Sequence, residues 1–589
     1  MSRSHETPTS IKIPTRREAL IFRLKSSLLQ IRRRFTDMSS GAVRAHSKNR
    51  TVEREPVIAE SKTPLWTETE PEEKFLVAGK IQNLRLALKE IDGVTVPGGE
   101  VFSFWKQIGR TRRSRGYVEG REIREGCIIP NVGGGLCQLS NSLYDAALKA
   151  NFEIVERHGH TQIVPGSLAE QGRDATVFWN YVDLRFRAPD PFTVEAKMDG
   201  ENLTVRFRGN TTDNKTLHQI NRTIAVIGGA NSCATCGMDD CFRSITPAEH
   251  KDFGRSAFLV DEYTSEFDAY IQNRRRPKDK LCIPLDGQRF RRGNYAWSTG
   301  GFERVDQSLL VTALRSYRSR SLSAQGAARQ QNLLSMYETL AASYAKKLDY
   351  EMLHVVVQQN LLPFLWRAGH LGGRTFDVLM TALPMSELQK RLDFAHSLHP
   401  ESRTLGDFRA DQTLIAAETE ALKNARRIIT PHSEIASLFP KRSELIEWAM
   451  PKPAPAEKQE NEKPCVVFPA STVGRKGCYE LRDALRGAAV KLITLGPYIE
   501  DSDFWAGFDV EKGGDDWLAR ADLVVLPAFV EHRPRRLLMA AAAGIPVIAS
   551  AACGVSHVVG IETIETGNTE MLTKMIADHL SRERTARTG

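Results

Sequence analysis

The chain has 589 residues, of which 41% are hydrophobic and 26% charged. At roughly 100–200 residues per domain it divides into about three or four units, and its ordinary globular composition excludes disorder of the whole chain. The formal charge is +9, and residues 1–50 account for it with twelve Lys/Arg against three Asp/Glu; a basic arm on a nearly neutral body argues against a broad nucleic-acid groove.

Residues 1–15 read as disordered. From Arg16 to Phe35, apolar residues recur at Ile21, Leu24, Leu28, Ile31 and Phe35, a spacing of three and four that makes one helical stripe. Arg16, Arg17, Arg23, Lys25 and Arg32–Arg34 surround it. A basic amphipathic helix of this kind either lies on an anionic membrane surface through residues 16–35 or docks on the protein's own core or a partner. No apolar stretch of signal-peptide type follows the basic start, and the nine cysteines are an odd number. The expected compartment is therefore the reducing cytoplasm, with a peripheral place on the inner face of the membrane as a further option.

Residues 36–60 read as a polar linker. A helix is predicted from about Glu73 to Glu90, carrying Ile81, Leu84, Leu86 and Leu88. Turns and short strands follow to about Arg208, including the runs 175–179 and 182–187, which is an α+β pattern. Within it, Gly133-Gly134-Gly135-Leu136-Cys137 precedes a helix on which Leu139, Leu143 and Ala147 share a face. Cys137 is thus expected in the first helical turn, where amide groups and the helix dipole favour a thiolate. His158 and His160 come next, then Asp174. Cysteine, histidine and aspartate in that order suit a thiol-dependent hydrolase or acyltransferase: Cys137 as nucleophile, His160 or His158 as base, Asp174 as the group that orients it. The alternative is a small structural cysteine, with histidines that satisfy buried carbonyls and Cys127 as a competing thiol.

A short strand is predicted at Thr223–Ile227. Behind it, Cys233, Cys236 and Cys241 form a C-x2-C-x4-C cluster. Two thiolates two residues apart can grip one ion, so zinc or an iron–sulfur cluster is expected there, with a redox pair or buried thiols as the alternative. From 254 onward short apolar runs alternate with helical stretches: Ala257–Val260, Leu353–Val357, Asp377–Met380 and Arg427–Thr430, then, beyond a Pro/Glu/Lys linker, Cys465–Phe468, Val490–Thr494, Leu523–Leu526 and Val547–Ala549. Residues 306–347 read as largely helical. This is the βαβ rhythm of parallel sheets. The uncharged stretch Leu537–Ile561 is broken by Gly544-Ile545-Pro546 and reads as helix, turn and buried strand rather than a membrane span.

Two resemblances organise these readings. Pro97-Gly98-Gly99-Glu100-Val101-Phe102-Ser103-Phe104, the GGGLCQLSN block, the ERHGH block and Asp174-Ala175-Thr176 look like the VanW family over roughly residues 60–210. That resemblance implies bacterial origin and a link to the cell envelope. Phe468-Pro469, Gly474-Arg475-Lys476-Gly477, Ala521–Pro527, Glu531 and Ala541–Ser550 resemble the donor-binding half of retaining GT-B glycosyltransferases, and residues 250–450 resemble their acceptor half. It implies a nucleotide-sugar donor, with Arg475 and Lys476 on the diphosphate and Glu531 on sugar and ribose. The chain departs from the pattern at two places: Met539 stands where that family has a second glutamate, and Ser471 where it has a separate arginine.

The expected architecture is multidomain: an α+β module followed by an α/β, GT-B-like pair of Rossmann-like halves. The expected boundaries are 1–55 (basic arm and linker), 56–212 (VanW-like), 213–250 (cysteine cluster), 251–450 and 464–589 (the two α/β halves), with 451–463 as linker. The expected function is envelope-related, nucleotide-sugar-dependent glycosyl transfer joined to a VanW-like module. The alternatives are a metal-stabilised, membrane-associated scaffold with a degenerate GT-B fold, or a cysteine-dependent hydrolase or acyltransferase.

Overall fold

The computed structural model describes residues 15–40, 43–49, 55–67, 71–124, 127–160, 167–210, 231–232, 253–320, 326–406, 409–452, 458–459 and 461–588. Residues 1–14 of the lead expected to be disordered (1–15), the residues of the expected strand Thr223–Ile227, and Cys233, Cys236 and Cys241 lie outside the described residues. The chain forms two compact units. One takes residues 1–255 with 349–353 and 368–374; the other takes 256–348, 354–367 and 375–589.

The first unit is α+β. Its main helix, Pro71–Ile91, buries Val77, Ile81, Leu84, Leu88 and Ile91, one stripe at helical spacing. A four-stranded antiparallel sheet runs in the order Val57–Pro64, Asn202–Arg208, Phe192–Met198, Val94–Val96. Along Asn202–Arg208 the inward residues Leu203, Val205 and Phe207 alternate with more exposed neighbours, as a half-buried strand requires. In the core beneath, Phe152 stacks on Phe186 and Phe207, and Phe192 meets Phe207 edge-on. Two three-stranded sheets complete the unit: Val101–Ser103, Arg185–Arg187 and Glu153–Glu156, and Asn231–Ser232, Cys127–Val132 and Glu119–Arg124. The late segments are tied to the unit and to each other by side-chain and backbone hydrogen bonds. Arg85 Nε donates to Gly372 O (2.7 Å), Arg374 Nε to Met352 O (2.8 Å), and the Gly373 amide to Asp199 O (2.6 Å).

Two expectations for this unit are corrected. The linker expected at 36–60 is narrower, because the first helix runs to Ser40 and an edge strand begins at Val57. That strand turns Ala59, Ser61 and Thr63 inward, so its buried face carries little hydropathy. The run 175–179 is not a strand. Asn180 adopts positive φ (56°), and the chain folds back so that Phe178 and Val182 form a single antiparallel bridge; the run 182–187 shortens to Arg185–Arg187.

The second unit is α/β with two all-parallel sheets. The first runs Arg304–Gln307, Lys280–Ile283, Ser256–Leu259, His354–Gln358, Thr375–Leu379, Arg427–Thr430, Ser443–Leu445. The second runs Val510–Lys512, Lys491–Thr494, Cys465–Phe468, Leu523–Leu526, Val547–Ser550, Ile561–Ile564. Counted along the chain, both follow the order 3-2-1-4-5-6, the first with a seventh strand, so each has a switch point beside its first strand. These are the two Rossmann-like halves of a GT-B-like architecture. The stretch Leu537–Ile561 resolves into the end of helix Arg535–Ala542, a turn at Gly544 and the buried strand Val547–Ser550. Among the described residues no helix is long and apolar enough to cross a membrane.

Candidate active site

Cys137 is the first residue of helix Cys137–Lys149. The glycines before it are there for close approach. A side-chain carbon on Gly134 would collide with the carbonyl of Gly120, and one on Gly135, at φ 95°, with the stem of Lys80. Asn83 fixes this turn by donating to Gly134 O (2.9 Å) and accepting from the Val118 amide (2.9 Å). The helix is anchored at its start by Gln138, whose amide donates to Thr63 Oγ1 (3.0 Å) and Pro64 O (2.8 Å).

The next residues of the helix hold the aspartate segment. Asn141 Oδ1 accepts from the Ala175 amide (2.7 Å), and Ser140 Oγ donates to Ala175 O. Asp174, the neighbour of Ala175, is buried at 5% exposure. Its carboxylate accepts from the His160 backbone amide and meets His160 Nδ1 at 2.6 Å. A carboxylate on Nδ1 places the proton there and leaves Nε2 as the reactive nitrogen. His160 in turn hydrogen-bonds Cys137, and Thr176 Oγ1 lies 3.8 Å from the sulfur.

The electrostatics follow from these contacts. Burial pushes the Cys137 thiol up, but the charge and hydrogen bond of His160, with further bonds from Val177 and Thr176, outweigh it, and the thiol is held below its ordinary range. Burial would lower His160; the Cys137 sulfur and Asp174 overcome that and raise it to about 10. The two groups form a pair in which each favours the other's charged form, the kind of pairing that lowers a thiol's pKa. It opens on a cavity of about 380 Å3 whose wall includes Trp105, Phe178, Trp179, Lys62 and Arg121.

His158 is elsewhere. Its ring faces Glu156 Oε1 at 3.3 Å and is half exposed. Strand Glu153–Glu156 ends before it, so the alternation that would put both histidines on one side does not operate. Cys137 forms no disulfide with Cys127. In the glycine turn the Gly133 amide donates to Val118 O (3.0 Å) and that of Gly134 to Asn131 O (2.9 Å), and in the first helical turn the Gln138 amide donates to Gly135 O and those of Leu139 and Ser140 to Leu136 O. Sequence reasoning missed the roles of Gln138, Ser140, Asn141 and Thr176, although all four stand inside the blocks it singled out.

In the second unit, Lys476 and Glu531 come together at the switch point of the second sheet. Lys476 lies in the turn after strand Cys465–Phe468, and Glu531 in the loop after strand Leu523–Leu526. Lys476 Nζ is 2.8 Å from Glu531 Oε2 and donates to Val530 O (3.0 Å). Burial pushes the Glu531 carboxyl up, but Lys476 more than offsets this and holds it below its ordinary value. The Arg475 carbonyl accepts from the amides of Phe529 and Val530, which locks the turn against the loop. Gly477, at φ 73°, seats the turn so closely that a side-chain carbon would strike Pro527 O. His432, from the other half, meets Glu531 O at 3.1 Å. Met539 packs against the hydrophobic core of its own half, so no carboxylate stands at that position. Four residues earlier on the same helix, Arg535 makes a two-pronged ion pair with Glu266 at 2.7 Å for each contact, a link between the halves that the motif reading did not register.

Among the described residues, no group of three or more His, Cys, Asp or Glu is placed to hold a metal ion. The three clustered cysteines are not among them.

Comparison with known proteins follows the same division. Residues 79–208 match the family model described as VanW like protein, and residues 498–588 match glycosyl transferases group 1. The chain thus carries a VanW-like module joined to a glycosyltransferase-like module. It is 36% identical over 140 residues to the uncharacterized protein YoaR of Bacillus subtilis, which covers 23% of this chain and 46% of that protein. It is 34% identical over 111 residues to the vancomycin B-type resistance protein VanW of Enterococcus faecalis, covering 18% and 40%. The chain therefore spans less than half the length of these curated relatives. Among solved structures, sucrose-phosphate synthase from Thermosynechococcus elongatus superposes with a TM-score of 0.36 at 14% identity, over 56% of this chain and 90% of that one.

Proposed function

We propose that this is an envelope-related protein with two chemistries in one chain: thiol-dependent acyl transfer or hydrolysis in the VanW-like module, and nucleotide-sugar-dependent glycosyl transfer in the α/β unit. The observation that carries the first is the chain of contacts from Asp174 through His160 to Cys137 at the wall of a cavity. In the step it supports, the Cys137 thiolate attacks an acyl carbon. The bond to the leaving amine or alcohol breaks, and the His160 imidazolium gives that group its proton. Water or an acceptor nucleophile, deprotonated by the same imidazole, then displaces the thioester and regenerates the thiol. Asp174 holds the ring and stabilises its cationic form.

The glycosyl-transfer reading rests on the family match over residues 498–588 and on Lys476 and Glu531 meeting at the switch point. Lys476 and Arg475 would neutralise the donor's diphosphate. The missing second carboxylate at Met539 supports the rival, a binding module that has kept the fold and lost transfer. The working compartment in this reading is the cytoplasm, where nucleotide sugars are made. Zinc or an iron–sulfur cluster at Cys233, Cys236 and Cys241 remains part of the proposal; metal analysis of the wild type and Cys236→Ser tests it, and equal metal contents end it.

The deciding experiment for the thiol is alkylation rate against pH, read by mass spectrometry on each cysteine. Cys137 reacting well below the ordinary thiol range supports the proposal. A Cys137 no faster than a free thiol, and indifferent to His160→Ala, leaves it a structural residue.

A further inference from the structure

The first helix, Arg16–Ser40, is built to be held on one side only. Thr15 and Glu18 cap its start reciprocally: the Thr15 amide donates to Glu18 Oε2 (2.9 Å) and the Glu18 amide to Thr15 Oγ1 (3.3 Å). The side facing the rest of its unit carries Phe22, Ser26, Gln30, Arg33 and Asp37, which recur at helical spacing and are its more buried members. Phe22 packs edge-on against Phe178 at 6.0 Å, with the Arg124 guanidinium over both rings. Gln30 O accepts from Asn180 Nδ2 (3.4 Å), and Arg33 pairs with Glu156. Asp37, buried, accepts two bonds from Arg185 Nη2, each 3.0 Å. The docked side is therefore largely polar and specific.

The opposite side is apolar and open. Leu24 (65% exposed), Leu28 (69%), Ile31 (51%), Phe35 (69%) and Met38 (78%) lie there in one row, about half a turn from the docked residues at 3.6 residues per turn. Exposed basic residues border the row on both flanks, Arg16, Arg23 and Arg34 along one and Lys25 and Arg32 along the other. We infer that this face is an interfacial membrane anchor for an anionic bilayer. The Leu, Ile and Phe side chains enter the acyl boundary while the arginine and lysine stems reach back to lipid phosphates. Charge selects this occupant over a second copy of the chain, because two such faces brought together would place like charges opposite each other on both flanks. The inference does not rest on the chemistry at Cys137. It does bear on it, since Phe178, gripped by the helix, also lines the Cys137 cavity.

Flotation of the full chain tests the anchor. The protein should rise with vesicles of phosphatidylglycerol and phosphatidylcholine and stay behind with phosphatidylcholine alone. Leu24→Asp/Leu28→Asp should weaken binding by at least ~10-fold. Arg32→Gln/Arg34→Gln leaves the apolar row intact and should weaken it by about fivefold for each charge removed at low salt. Unchanged thermal midpoints in both variants assign the losses to the surface rather than to folding. Flotation with neither vesicle, equal flotation with both, or variants that bind like the wild type would overturn the inference. So would a concentration-dependent dimer, formed without lipid and abolished by Leu24→Asp/Leu28→Asp, which gives the face to a second copy.

Discussion

Two pairs of ionisable groups stand where chemistry is expected, and they are built differently. At Cys137 the pair is a thiol and an imidazole, each favouring the other's charged form, with a buried carboxylate behind the ring, and it borders a cavity. At the switch point of the second sheet the pair is Lys476 and Glu531, each the other's partner, with His432 on the backbone beside them. The first arrangement directs its charges toward a reactive atom. The second neutralises them until a ligand competes for the lysine. A relay that ends on a thiol suits the proposed acyl chemistry, whereas a closed salt bridge marks only a place where an anion could be exchanged in.

The comparison breaks most readily at the second site. Replacing Arg475 and Lys476 together with alanine removes two charge-assisted contacts of about 1.5–3 kcal/mol each, so nucleoside diphosphate affinity should fall by ~10²-fold or more. Calorimetry on the full chain checks this, and a wild type that binds no nucleotide leaves the α/β unit as a scaffold.

The next largest effect is at Cys137. His160→Ala removes the cation that holds the thiol down while burial remains, and the alkylation rate near neutral pH should drop by ~10-fold or more as the thiolate fraction falls to that of an ordinary cysteine or below it. An unaltered rate would show that the pairing does not govern the sulfur.

A smaller effect should appear in stability. Folding raises His160 from its ordinary 6.5 to about 10. Its contribution is therefore complete below about 6.5 and is lost as pH rises through about 10. Thermal midpoints of the wild type and His160→Gln should differ most near pH 6 and converge toward pH 10; a gap that widens with pH contradicts the sign. The smallest effects sharpen the assignment. His158→Ala and Cys127→Ser should leave the Cys137 rate within about twofold, because neither residue is among the groups that depress the Cys137 thiol.

The sequence was most legible where burial is two-sided. Arg427–Thr430, Cys465–Phe468 and Leu523–Leu526 are unbroken or nearly unbroken apolar runs, and each is a strand at the expected position. Edges were harder. Arg304–Gln307 and Val510–Lys512 are short and carry charges because one side meets no neighbouring strand. Val57–Pro64 hides small and polar residues that no hydropathy pattern marks. At the Cys137 site, residue order and the glycine turn pointed to the cysteine and aspartate. The choice between His158 and His160 depended on where a strand stopped, which alternation cannot show. Nor does a motif say which of its members do chemistry and which tie loops: Ser140 and Asn141 stand close to Cys137, yet the bonds they make hold the Asp174 segment in place.

The short returns at 349–353 and 368–374 carry a consequence for how this chain can be taken apart. Between residues 255 and 375 the polypeptide changes unit five times, so the modules are laced rather than strung. No single cut releases either one whole. A fragment beginning at 256 would carry Gly372 and Gly373 away from their partners in the first unit, the Arg85 side chain and the Asp199 carbonyl. Limited proteolysis should accordingly yield nicked chains that stay associated, and a gene split at that boundary should give two insoluble halves rather than two working proteins.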